Sequence, residues 1–183
     1  NESADIIRMF NSAFNDLTGN TDDYYPEALH ESINTINELV YHKINNGVYL
    51  SGFATTQQAY ETAYYNLFTA LDQVEEILTK QRYLVGDSLT EADWRLFTTL
   101  IRFDAVYFGH FKTNKKMIAD YPALSGYMRE LYQVQGIAST VSLEHIKTHY
   151  YASHVTINPT GVIPVGPEQD FNIPHGRDHL PAA

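Results

Sequence analysis

From Trp94 to Phe108 the sequence is apolar on more than one side of a helix, and this stretch constrains the chain most. A helix of that kind is expected in the middle of a bundle, with other helices covering it on several faces. Thr90-Glu91-Ala92-Asp93 at its start has the form Thr-x-x-Asp. A Thr at the N-cap can accept from the amide of Asp93 while the Asp93 carboxylate reaches back to the amide of Thr90. Two donors that a helix start leaves unpaired are then satisfied together. Leu89 and Trp94 have the spacing of a hydrophobic staple across the same start.

The remaining segments read as further helices. Ile6, Ile7, Met9, Phe10 and Phe14 recur at helical spacing behind Asn1-Glu2-Ser3-Ala4-Asp5, which supplies a cap and first-turn acid. After a polar connection at 18–26, the positions Leu29, Ile33, Ile36, Val40 and Ile44 repeat until Asn45-Asn46-Gly47, where the helix is expected to end. Tyr60, Ala63, Tyr64, Leu67, Leu71, Val74 and Leu78 draw a third stripe. Pro122 opens a helix carrying Leu124, Tyr127, Met128, Leu131 and Tyr132, and a last one is expected from about Ser142 to Ser153. Five of the seven prolines lie beyond Ile157, so that stretch cannot be regular helix. The expected architecture is an all-α bundle over 1–154, with a Pro/Gly-rich tail over 155–183 packed on its surface.

Composition narrows the function. The 183 residues carry 12 basic and 22 acidic side chains, a net charge of −10, which argues against nucleic acid or an anionic membrane as partner. No run approaches the length of a bilayer span and no basic-then-apolar leader opens the chain, so a membrane-spanning or freshly secreted protein is not expected. Cysteine is absent, which removes disulfides, thiolate metal sites and any Cys nucleophile from this chain. An apparent helix already under way at Asn1 suggests a start inside a larger protein. Fourteen tyrosines and nine phenylalanines are the surplus, and phenols suit either a core or a pocket for a flat hydroxylated ligand.

The capped apolar helix following Tyr83-Leu84-Val85-Gly86-Asp87 resembles the C-terminal helical domain of the glutathione transferase superfamily. Within it, the stretches NESADIIRMFN, DDYYP, NNGVYLSGFAT, RYLVGDSLTEADWRLFTTLIRFDAVY, HFKTNKK, INPTGVIPVGP and PHGRDH resemble the glutathionyl-hydroquinone reductases, or Xi-class transferases. They cover almost the whole chain, and the last two are the most discriminating, since ordinary transferases lack such a tail. The resemblance implies a thioredoxin-like domain bearing a Cys-Pro-Trp type nucleophile, which this sequence does not contain. It also implies reduction of a glutathionyl-hydroquinone with a second glutathione as co-substrate, giving hydroquinone and oxidised glutathione. A homodimer in the cytosol is expected, and this chain alone is expected to be inactive.

Site residues follow by the same resemblance. Glu2 and Ser3 match the pair that holds the γ-glutamyl end of glutathione; plain N-capping is the alternative for them. Tyr49 and Tyr150 match two tyrosines of the hydroquinone pocket, where phenols can bond a quinol oxygen or help place a proton on the ring carbon as the C–S bond breaks. Phe53, Tyr107 and Tyr41 are lesser pocket candidates, as is Arg102, for which a buried pair with Asp104 or another acid is the structural alternative. Thr90 and Asp93 are assigned to capping.

Two rival readings stay open. A transferase-like helical domain can also serve as a non-catalytic interaction module; whether Glu2-Ser3 and the Tyr49 and Tyr150 phenols face one cleft distinguishes the two. His145 and His149, an i, i+4 pair, with His154, His175 and His179, offer metal donors. No Glu follows the first of them as in His-Glu-x-x-His, and surface histidines are the expectation, with no metal.

Overall fold

The computed structural model describes residues 2–182; Asn1, part of the expected cap, lies outside the described residues. Among them the regular structure is helical. In chain order it comprises α1 (Ser3–Ser12), α2 (Asn15–Thr18), α3 (His30–Leu39), α4 (Asn46–Gly52), α5 (Gln57–Lys80), α6 (Glu91–Arg102), α7 (Phe108–His110), α8 (Pro122–Gln133) and α9 (Leu143–Ser153). Two π-helical stretches, Val40–Asn45 and Phe103–Tyr107, join α3 to α4 and α6 to α7 without a break in the rod. Asn45-Asn46-Gly47 therefore does not end the second helix, as its composition suggests. The backbone widens there and continues to Gly52, with Gly47 lying against Leu67 of α5.

α6 is central, between α3 and α8, while α5 packs on α4 and α8 and α9 lies on the Phe103–Tyr107 stretch. The core is built from Val40, Ile44, Leu67, Leu71, Leu96, Leu100, Val106, Leu124 and Leu131, all 0–1% exposed. Burial of each such side chain contributes about 1.5–3 kcal/mol. At the start of α6 the Asp93 carboxylate accepts from the amide of Thr90 at 2.8 Å and its hydroxyl at 3.1 Å. It also accepts from the Leu84 amide at 2.9 Å and the Tyr127 hydroxyl at 2.7 Å. Asp93 thus fastens a loop and α8 to the helix it caps. Burial pushes its pKa up, and these four bonds pull it back.

Carboxylates also close two further helix starts. Glu75 of α5 accepts from the amides of Ala123 and Leu124 at 2.9 and 2.7 Å. Asp104 accepts from those of Ile118 and Ala119 at 2.6 and 3.0 Å. Asp104 therefore does not pair with Arg102, whose Nη1 donates to the Thr98 carbonyl at 2.5 Å.

α1 is anchored through Arg8 and through Asn11, whose Oδ1 accepts from the Tyr24 amide at 2.8 Å. The Arg8 guanidinium meets the buried Glu91 carboxylate at 2.8 Å and lies 3.9 Å from the centre of the Tyr25 ring. Its apolar face does not enter the core as the spacing implies: Ile6, Met9, Phe10 and Phe14 are all exposed.

Residues 155–182 form no helix, yet Phe171 and Arg177 are buried. Arg177 donates to the carbonyls of Leu78, Gln81 and Arg82 at the end of α5, at 3.0, 3.0 and 2.6 Å, and to Glu130 of α8 at 3.1 Å. Gly126 admits this segment, since a Cβ there would stand 2.7 Å from the His175 carbonyl oxygen.

Candidate functional site

Tyr49 from α4, Tyr107 from the π-helical stretch after α6, and Tyr150 from α9 bring three hydroxyls together. That of Tyr150 lies 2.6 Å from that of Tyr49 and 2.9 Å from that of Tyr107. Tyr107 is 2% exposed and Tyr150 7%, whereas Tyr49 is 39% exposed. The chain of phenols therefore runs from the interior to solvent.

Packing sets the rings. Phe111 stacks on Tyr107 with centroids 5.4 Å apart and tilts against Tyr49 at 5.3 Å. Gly52 makes room for it, because a Cβ there would come within 2.3 Å of the Phe111 ring. Burial pushes the Tyr150 phenol up to about 12, with the nearby Arg102 charge opposing, and pushes Tyr107 further still. Both are held as neutral hydroxyls, able to donate and accept at once.

The phenols open into a cleft of about 530 Å³. Ser3, Ala4 and Ile7 of α1 form one wall, Tyr41, Asn45, Asn46 and Tyr49 a second, and Trp94, Arg95, Thr98, Thr99 and Arg102 of α6 the floor. Ser3 is the first residue of α1, so the amide end of that helix and its partial positive charge face the same space. Glu2 precedes it, exposed, and does not line the cleft.

Of the residues singled out from sequence, Ser3, Tyr49, Arg102, Tyr107, Tyr150 and Tyr41 share this cleft. Phe53 does not. Its ring is parallel to that of Tyr49, 6.5 Å away, and lines a neighbouring groove with Leu50 and Thr55. Asn45 and Thr99 have no counterpart in the sequence reading. The Thr99 hydroxyl donates to Asn45 Oδ1 at 2.9 Å, and Asn45 Nδ2 to the Arg95 carbonyl at 3.3 Å, tying the second wall to the floor. A polar pair Asn45/Thr99 was hidden because Asn45-Asn46-Gly47 looks like a terminator.

Of the histidines, His145 and His149 line a second cavity beside the cleft. His154 meets His110 instead, ring nitrogen to ring nitrogen at 3.1 Å. Burial pushes His110 down to about 4, helped by His154. Among the described residues no three His, Cys, Asp or Glu side chains are grouped to hold a metal ion.

Residues 57–130 match the family model for the glutathione S-transferase C-terminal domain, and the bundle has that domain's fold. Its homologues include glutathionyl-hydroquinone reductases. It is 55% identical over 178 residues to the glutathionyl-hydroquinone reductase YqjG of Escherichia coli, covering 97% of this chain and 54% of that protein. The glutathione-bound structure of YqjG superposes with a TM-score of 0.94, over 96% of this chain and 57% of that one. Identity to the glutathionyl-hydroquinone reductase PcpF of Sphingobium chlorophenolicum is 57% over 169 residues, 92% of this chain and 54% of that protein. A Xi-class transferase from Natrialba magadii gives a TM-score of 0.96 at 47% identity, over 100% of this chain and 57% of that chain. The chain thus spans about half the length of the curated relatives it matches.

Proposed function

We propose that this chain is the helical, substrate-holding part of a Xi-class glutathionyl-hydroquinone reductase, and that it belongs to that family. The observation that carries the reading is the single cleft joining Ser3 at the start of α1 to the Tyr49, Tyr107 and Tyr150 hydroxyls. The relatives reported above support it, one of them through a glutathione-bound structure.

Glutathione enters as co-substrate with its γ-glutamyl carboxylate on the Ser3 side, and Glu2 pairs with the ammonium of the same group from the rim. The hydroquinone lies among the phenols, with Arg102 at its edge. A cysteine thiolate on a thioredoxin-like segment, outside this cysteine-free sequence, attacks the glutathionyl sulfur. The S–S bond of a mixed disulfide forms as the ring C–S bond breaks, and the electron pair left on the ring carbon takes up a proton. A free glutathione thiolate then attacks the mixed disulfide, releasing oxidised glutathione and restoring the cysteine. The contribution of this chain is the proton and its placement. Tyr150, bonded to two other hydroxyls, can hand on a proton and be refilled through Tyr49, which reaches solvent.

Residues 1–154 serve as the domain and 155–183 as a long irregular tail lying on it, in a cytosolic homodimer. None of the helices described is long and apolar enough to cross a membrane. Of Glu2 and Ser3, only Ser3 shares the cleft with the phenols, which supports substrate binding over the interaction module in part.

The test is chromatography of hydroquinone released from a glutathionyl-hydroquinone. This chain alone should release none, and the chain joined to its thiol-bearing segment should turn over. Release by the chain alone would overturn the assignment.

A further inference from the structure

Beside the phenol cleft, and sharing Trp94, Thr98, Arg102 and Tyr150 with it, lies a second cavity of about 480 Å³ between α6 and α9. Its apolar lining comes from Trp94, Phe97 and Ile101 of α6 and from Ile137 and Ile146 on the facing side. Its one fixed charge is the Arg102 guanidinium. Arg102, His145 and His149 line it, whereas none of the chain's 22 Asp and Glu side chains lines either cavity. In a chain of net charge −10 this is a local reversal.

Arg102 is the centre of that reversal. Its guanidinium bonds the Thr98 carbonyl of its own helix, and among the described residues no carboxylate pairs with it. Asp104, two positions on, is committed to the Ile118 and Ala119 amides. The start of α9, through Val141 and Ser142, borders the same cavity and adds the positive end of an eleven-residue helix.

We infer that this second cavity is a subsite for an anionic aromatic substituent, so that the site prefers hydroquinones carrying a carboxylate. The quinol ring stays among the phenols, its carboxylate-bearing edge enters the second cavity, and Arg102 donates two N–H bonds to the carboxylate. Tyr150, which lines both spaces, keeps its hydroxyl on the quinol oxygen. The inference rests on the proposed function for its substrate class, but its test reads binding rather than turnover.

Trp94 is the only tryptophan in the sequence and lines both this cavity and the phenol cleft, so its fluorescence reports binding in either, and Ile146→Phe tells the two apart. The chain is titrated with 2,5-dihydroxybenzoate and, separately, with uncharged 1,4-dihydroxybenzene. The acid should bind about tenfold more tightly at low salt, and the preference should shrink at high salt as screening weakens the charge pair. Arg102→Gln should bring the two affinities within about twofold of each other, while Arg102→Lys keeps part of the difference. Ile146→Phe, which fills the cavity, should weaken the acid and leave the neutral quinol unchanged. Equal affinities in the parent chain, no binding of the acid, or a preference indifferent to salt and to Arg102→Gln would overturn the inference. A preference that Ile146→Phe leaves intact would place the acid in the phenol cleft and also overturn it. Failure of the parent reading shows elsewhere, as hydroquinone release without the thiol-bearing segment.

Discussion

The hydroxyl of Tyr150 lies 2.6 Å from that of Tyr49, although 101 positions separate them in sequence. Each phenol supplies what the other lacks: Tyr150 is buried beside the cleft floor, and Tyr49 reaches solvent. In the thiol-complemented enzyme Tyr150→Phe should slow hydroquinone release more than Tyr49→Phe, because it removes both hydroxyl contacts. The double variant should lose about 100-fold, as expected when a positioned proton donor is removed. Chromatographic rates for the two single variants and the double variant form a cycle that gives the coupling. Unchanged turnover in the double variant would remove both phenols from the mechanism.

Acid should destabilise this fold through His110, which is 5% exposed and pushed down to about 4 by burial and by His154. An unfolded histidine takes up its proton near pH 6.5, whereas the folded one resists until about 4. The contribution of His110 is therefore present above pH 6.5 and lost as pH falls towards 4, on the order of 2–3 kcal/mol in all. Asp93 and Asp104, whose pKa values burial raises, act in the opposite sense. Comparison with His110→Gln isolates the histidine. Urea unfolding at pH 7.5 and pH 4.5 should show a smaller loss for the variant than for the parent.

Much of this bundle is legible in the sequence because its signals are local. The Thr90–Asp93 spacing and the apolar run from Trp94 mark the buried central helix, although Asp93 recruits Leu84 and Tyr127 as well as Thr90. The stripe through Leu67, Leu71 and Val74 likewise reports the buried face of α5. What escapes reading is non-local or departs from the helical period. Asn45-Asn46-Gly47 has the composition of a helix end, and the widened turn at Val40–Asn45 that carries the helix on through Tyr49 to Gly52 leaves no local signal. Arg8 and Arg177 find their carboxylates 83 and 47 positions away, and no periodicity encodes such a pairing. The exposed face of α1 follows the same spacing as a buried one, so pattern alone cannot tell them apart.

Gly52 and Phe111 should show how tightly the phenols are seated. A methyl group at Gly52 would lie 2.3–2.8 Å from three carbons of Phe111, so the ring must move. Phe111 packs on both Tyr49 and Tyr107, and the displacement reaches the hydroxyl cluster. Gly52→Ala should cost about 1–3 kcal/mol in denaturant unfolding, the range for overpacking a filled core. Gly52→Ala combined with Phe111→Leu should recover part of that loss, because the smaller side chain vacates the space.

The strongest single dependence should fall on Arg177. Its guanidinium donates to the carbonyl of Leu78 in the last turn of α5, an acceptor that a helix leaves unpaired, to those of Gln81 and Arg82 just beyond it, and to Glu130, which also receives Arg82 at 2.5 Å. Arg177→Ala leaves those carbonyls buried and Glu130 with one cation in place of two, a change that costs about 3–5 kcal/mol where a buried pair is broken. Arg177→Lys keeps the charge but cannot span the carbonyls and the carboxylate at once, so it should recover less than half of the loss. Gly126→Ala acts on the same contact from the other side, by pushing on the His175 carbonyl. Limited proteolysis should then cut the 155–182 segment in both Arg177→Ala and Gly126→Ala while sparing it in the parent. Equal resistance in all three would mean that the segment is held by Phe171 and its neighbours rather than by the arginine.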